Sequence, residues 1–173
     1  CGYLYSFSKD LIPPENYHFI DGWFAEDEDV IKAVCDTDLV GFSCTTSQAP
    51  WANAIVREVR CRGARPHTVI GGYGPSVQPG PFVESGLWDT VVVGEGERPW
   101  RTLLRESRLL VPQQRGDPKI PEPVVRFEPA IPDIDAIPFP DRDFIKVERC
   151  IQVAKKEEGR RVTGIYGNRG CLR

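Results

Sequence analysis

Three short stretches carry the residue types that do chemistry, and each follows an apolar burst. Ser43-Cys44-Thr45-Thr46-Ser47 follows Leu39-Val40-Gly41-Phe42, Gly71-Gly72-Tyr73-Gly74-Pro75-Ser76 follows Thr68-Val69-Ile70, and Gly94-Glu95-Gly96-Glu97 follows Thr90-Val91-Val92-Val93. Consecutive glycines permit positive φ and let backbone N–H groups approach a ligand closely. Gly71–Ser76 is therefore either a loop that holds a phosphate or an amide, with Ser76 as a side-chain contact, or a tight turn. Gly94–Glu97 contains a G-x-G step, but Pro99 stands where a dinucleotide fingerprint needs its third glycine. Two carboxylates there would also repel a pyrophosphate, which excludes a nicotinamide or flavin site. Carboxylates accept hydrogen bonds from hydroxyls and amides, so a neutral ligand suits Glu95 and Glu97 better. The alternative is ordinary acids at a helix start.

The hydroxyl and thiol run Ser43–Ser47 either lines a ligand face or caps the next helix. Trp51, one turn into that helix, is either core or an apolar cofactor contact. His18 and His67 are the two imidazoles, and neither lies near a Ser or Cys in a nucleophile signature, so a hydrolase triad is without support. Cys171 follows an Arg-Gly step. It reads either as a buried structural thiol or as a metal thiolate with partners past Arg173.

These stretches need elements to position them. Short β-branched runs alternating with helical patterns predict a parallel sheet, whose strands require crossover connections. Ligands bind such sheets at the carboxyl ends of the strands, and all three polar stretches fall there. The chain has 173 residues, 40% hydrophobic and 27% charged, with a net charge of −3. That suits one soluble core. No basic stripe for nucleic acid appears, no apolar run reaches the roughly 20 residues of a membrane span, and no signal peptide opens the chain. Six scattered cysteines without a C-x-x-C pair predict reduced thiols in a cytoplasmic setting. A chain without methionine that starts at Cys1 and stops after Gly170-Cys171 reads as a fragment.

In chain order, apolar spacing predicts a short helix over Gly2–Leu11, ended by Pro13-Pro14. Alternation over Tyr17–Asp21 predicts a strand. Helices are expected at Asp27–Cys35, from about Pro50 to Arg62, as a turn at Phe82–Gly86, and at Glu97–Ser107. Strands are expected at Leu39–Ser43, Thr68–Ile70 and Thr90–Val93. Eight of the 16 prolines fall between Pro112 and Pro140, which predicts an extended, semi-rigid connector with at most a brief strand at Val124–Phe127. Arg161–Tyr166 reads as the opening strand of a further domain. The expected organisation is a first domain over 1–110, a linker over 111–145, and the start of another domain over 146–173.

Taken together, these segments resemble the cobalamin-binding radical S-adenosylmethionine enzymes. The resemblance rests on Asp38–Ser43, Gly71–Ser76 and Asp89–Glu97 as strand ends. To these it adds Ile131-Pro132-Asp133-Ile134-Asp135-Ala136-Ile137-Pro138-Phe139-Pro140-Asp141 as an interdomain linker, and Asn168-Arg169-Gly170-Cys171 as the approach to a C-x-x-x-C-x-x-C loop. It implies a flavodoxin-like, doubly wound α/β domain, lacking a first strand ahead of Gly2, followed by the first strand of a partial (β/α) barrel.

The implied cobalamin contacts are Ser43, Cys44, Thr45, Thr46, Trp51, Gly71, Gly72, Tyr73, Gly74, Ser76, Val93, Gly94, Glu95, Gly96 and Glu97. Cys171 would be the first thiolate of a [4Fe–4S] cluster whose other ligands lie past Arg173, so this fragment alone would be inactive. D-x-H-x-x-G is absent, which implies no protein histidine on cobalt, with Trp51 or a neighbour covering that face. The implied reaction is methyl transfer from methylcobalamin to an unactivated carbon of a small-molecule or peptide substrate. A 5′-deoxyadenosyl radical made from S-adenosylmethionine would start it, with electrons from an external donor. Ring contraction or cyclisation on the same cofactors is the near alternative. A non-catalytic flavodoxin-like binding module is the distant one.

Overall fold

The computed structural model describes residues 1–107 and 124–163. Its centre is a four-stranded, wholly parallel sheet in the order β1 (Leu39–Ser43), β2 (His67–Gly71), β3 (Thr90–Gly94) and β4 (Val124–Glu128). Seven helices flank it among the described residues: α1 (Gly2–Ser8), α2 (Asp27–Cys35), α3 (Ala49–Cys61), α4 (Tyr73–Val77), α5 (Gly80–Glu84), α6 (Glu97–Ser107) and α7 (Val147–Glu158). The architecture is a flavodoxin-like α/β sheet covered on both faces.

Period-two alternation divides the strands between two helical layers. Val40, Phe42, Ile70, Val91 and Val93 pack toward α2, α3 and α5, while Leu39, Val69 and Val92 pack toward α6. Helix α3 buries Ala52, Ile55, Val56 and Val59, a stripe at helical spacing with each residue no more than 2% exposed. Each fully buried Val or Ile of that stripe contributes about 2 kcal/mol against exposure. Acids Asp27, Glu28 and Asp29 occupy the first turn of α2, where the helix dipole favours them. On the other face Trp100 of α6 lies directly on Gly41, where a Cβ would stand 2.8 Å from the indole. Only glycine at that position lets α6 approach the sheet so closely.

The expected helices over Asp27–Cys35 and Glu97–Ser107, and the strand Leu39–Ser43, form with those limits. Tyr17–Asp21 differs. It is extended, with Tyr17 and Phe19 half-buried and His18 and Ile20 exposed, but no strand among the described residues partners it. Alternation reports which side chains turn inward and not whether a sheet edge is in reach. Here the inward rings meet Phe144 instead of another strand. Gly71–Ser76, read as a loop, is a glycine hinge leading into α4. Gly72 takes φ 98° and Pro75 falls in the first helical turn, where its missing N–H costs no hydrogen bond. Val124–Glu128, inside the proline-rich stretch, joins the sheet as its fourth strand. Helix α7 was not expected. The predicted strand at Arg161–Tyr166 carries no regular structure over 161–163, and from residue 164 on, Cys171 included, it lies outside the described residues.

Candidate functional site

At the carboxyl edge of the sheet three loops are joined sideways, rung by rung. The Cys44 N–H donates to the Gly71 carbonyl at 3.0 Å, and the Cys44 carbonyl accepts from the Gly74 N–H at 3.0 Å. This brings Gly74 against the Thr45–Thr46 backbone, where a Cβ would stand 3.0 Å from Thr45 C. Next, the Ser76 hydroxyl donates to the Gly72 carbonyl at 2.7 Å and accepts the Gly94 N–H at 3.0 Å. Finally, Gly94, at φ 92°, lies so close to β4 that a Cβ would stand 2.7 Å from the Glu128 carbonyl oxygen. Beside it a Glu95 carboxylate oxygen accepts the Ile131 N–H at 2.9 Å. Glycines at 72, 74 and 94 are thus required by backbone meeting backbone.

With the backbone engaged in this row, a band of side chains is left outward. Ser43, Thr45, Thr46 and Ser47 are exposed, and Tyr73 of α4 is 69% exposed. Gln48 orders part of the band, its Oε1 accepting the Thr45 N–H at 2.9 Å and hydroxyl at 3.1 Å. Gln48 is a residue the sequence reading passed over, although the spacing Thr45-x-x-Gln48 is that of a capping box. Glu128 and Ile131 were also missed, and no local signal marks them, because each meets its partner only through the β3–β4 pairing.

The remaining predicted contacts turn inward. Cys44 is 6% exposed and packs in the α3–α5 core, and burial pushes its thiol pKa up, which keeps it protonated at neutral pH. Val93 packs against the same core. Trp51 is half-buried, edge-on to Phe42 at 6.4 Å, with its indole N–H donating to Asp27 at 2.7 Å and its ring over Gly22. Gly96 sits beneath Leu4, and Glu97 is 4% exposed in the first turn of α6. The structure therefore gathers Ser43–Thr46, Gly71–Ser76 and Gly94–Glu97 at one edge and holds Trp51 to the side, between α2 and α3.

His67 lies at the other end of β2, with Nε2 3.0 Å from the Thr90 hydroxyl. Four residues of strand, about 13 Å, separate it from Gly71. Among the described residues no three His, Cys, Asp or Glu side chains gather as a metal site, and Cys35, Cys44, Cys61 and Cys150 form no disulfide. No described helix is long and apolar enough to cross a membrane.

Hydroxyls that both donate and accept match a ligand rich in amides. Comparison with known proteins points the same way. A family model described as a B12 binding domain matches residues 16–104, which include all three loops. The bacteriochlorophyllide d C-8(2)-methyltransferase of Chlorobaculum tepidum is 29% identical over 162 residues, covering 93% of this chain and 32% of its own length. The chain thus spans about a third of that relative. No solved structure matches.

Proposed function

Because the chain belongs to the B12-binding domain family, we propose that the carboxyl edge of its sheet holds cobalamin for a radical S-adenosylmethionine methyltransferase. The observation that carries this reading is the exposed band Ser43, Thr45, Thr46 and Tyr73 beside glycine backbone, lying wholly within the matched segment. Those hydroxyls would hydrogen-bond the amide side chains of a corrin, while Gly72 and Gly74 let the loops that carry them pack backbone to backbone. When bound, cobalamin supplies a transferable methyl group. The protein's part is to seat it, orient it and exclude water. Thr45–Ser47 faces the ligand more directly than Trp51, whose ring Gly22, Phe42 and Asp27 engage. His67 is held at the far edge, so no imidazole from β2 reaches cobalt.

The rest of the activity rests on the relative, which is named as a methyltransferase, and on the sequence resemblance. In this reading Cys171 is the first thiolate of a [4Fe–4S] cluster that binds S-adenosylmethionine. An external donor supplies electrons, the substrate is a small molecule or peptide, and the enzyme works in the cytoplasm.

Titration of the full-length protein with hydroxocobalamin tests the core of the proposal. Saturable binding with a shifted visible spectrum, and no protein nitrogen on cobalt, is expected. Cobalamin left free in solution refutes it. Anaerobic loading with iron and sulfide tests the cluster, since Cys171→Ala should lose its iron and the characteristic absorbance.

A further inference from the structure

The chain leaving β4 does not depart from the domain but is strapped across it. It begins at Ile131, whose N–H is accepted by a Glu95 carboxylate oxygen at 2.9 Å, on the rim of the candidate site. It buries Ile137 to 8% exposure and then reaches α1, where the Asp141 N–H donates to the Gly2 carbonyl at 3.3 Å. It ends in an aromatic box. Phe144 stacks on Tyr5 with centroids 3.8 Å apart and rings 7° from parallel, and meets Tyr17 edge-on at 5.8 Å. Pro132, Pro138 and Pro140 stiffen the path between the two attachments. A stiff segment fixed at both ends has one course, so its near attachment decides where it lies against the sheet edge.

Resting on the cobalamin reading above, we propose that Glu95 is a positioning residue. Its carboxylate latches the strap at Ile131 and so fixes one wall of the cofactor seat, and it acts through that backbone N–H and not by touching the corrin. Its neighbour Gly94 makes this reach possible, since a side chain there would meet the Glu128 carbonyl and push β4 and the strap away. The strap lies outside residues 16–104, the segment matched by the family model.

The test uses the full-length protein and three variants. Glu95→Ala removes the acceptor, Glu95→Gln keeps an amide oxygen in its place, and Ile131→Pro removes the donor while leaving the carboxylate. In cofactor-free protein, Glu95→Ala should speed hydrogen exchange over residues 130–134 about tenfold, with melting temperature nearly unchanged. Hydroxocobalamin should bind it about tenfold more weakly, the effect expected when a charge-assisted hydrogen bond is lost. Glu95→Gln should stay within about threefold of wild type, because an amide oxygen also accepts a backbone N–H. Ile131→Pro should weaken binding like Glu95→Ala, and the double variant should be no worse than either single one, as two halves of one interaction require.

Additive losses, a Gln variant as weak as the Ala variant, or weakened binding with unchanged exchange would each overturn the latch in favour of direct corrin contact. Unchanged binding and unchanged exchange in Glu95→Ala would overturn it outright. Failure of the wild type to bind hydroxocobalamin would overturn the site and the cofactor half of this proposal, while exchange at Ile131 still decides the latch by itself.

Discussion

The two ends of the same strands are both polar, and they use polarity in opposite ways. At the amino edge the polar side chains are engaged, with backbone and with each other. Arg60 donates to the Gly86 and Leu87 carbonyls at 2.9 and 2.7 Å, and an Asp89 carboxylate oxygen accepts the Thr68 N–H at 2.7 Å and hydroxyl at 2.8 Å. Thr68, Thr90 and the neighbouring Trp88 are each 1% exposed. At the carboxyl edge it is mainly backbone that is engaged, through Cys44, Gly72, Gly74 and Gly94, while Ser43, Thr45 and Thr46 are exposed, the Thr45 hydroxyl held only by its near neighbours Ser47 and Gln48. Polar residues at a strand end therefore do not mark a site. What marks one is backbone that satisfies itself and leaves side chains outward. In these terms the amino edge holds the fold together, and the carboxyl edge is the one we propose for the ligand.

That division is most sharply tested at Trp88. Its ring fills the core between α3 and β3, and its indole N–H donates to Asn53 at 3.1 Å. Trp88→Ala should cost about 3–5 kcal/mol, seen as a lower urea midpoint. Hydroxocobalamin affinity of the molecules that remain folded should be nearly unchanged. A variant of normal stability that binds cobalamin poorly would reverse the assignment of the two edges.

Gly72→Ala comes next, and it probes whether the carboxyl edge has a structural layer under its functional one. At φ 98° and ψ −164°, with a Cβ 2.9 Å from the Cys44 carbonyl oxygen, alanine forces the first rung apart. The expected cost is about 2–3 kcal/mol, with cobalamin binding lost as well. Tyr73→Ala, one residue on, separates the layers. Its ring is 69% exposed, so stability should stay within about 0.5 kcal/mol of wild type. Cobalamin should nevertheless bind several-fold more weakly in a spectroscopic titration. Wild-type affinity in Tyr73→Ala would remove Tyr73 from the site.

What the sequence made legible follows the range of the interactions. Asp27–Cys35, Leu39–Ser43 and Glu97–Ser107 are set by periodicity within each segment and, in the helices, by acids in the first turn, and their limits could be read directly. The loops of the carboxyl edge were legible too, since glycines and hydroxyls after apolar runs are local facts. Their partners were not. Ser76 meets Gly94, and Glu95 meets Ile131, only after parallel strands pair. Glu95, read as an acceptor for a ligand, has one oxygen on a backbone N–H 36 positions away. Trp51, read as a cofactor contact or core, turned toward Gly22, a neighbour that no spacing rule brings to it. Helix α7 was overlooked because its half-buried stripe, Val147, Ile151 and Ala154, is narrow and the prolines before it favoured an extended chain.

The smallest expected effect is a pH dependence that belongs to the amino edge alone. Burial holds the His67 pKa below the usual imidazole value of 6.5, with Arg126 adding to the depression and Asp89 and Glu106 opposing it. The unfolded chain, with an ordinary imidazole, therefore binds a proton more readily than the folded one. Below about pH 6.5 protonation favours unfolding, and stability should fall as the pH drops until the folded imidazole is itself protonated. Above that value His67 should contribute no slope. Denaturant titrations between pH 7.5 and 5.5 should show this slope in the wild type and a flatter profile in His67→Gln, the two converging toward acid. The cobalamin spectrum of His67→Gln should match that of the wild type at every pH, because Nε2 is engaged with Thr90 at the edge opposite the proposed site. A changed cobalt spectrum in this variant would place an amino-edge residue in the site, and the distinction between the two edges would fail.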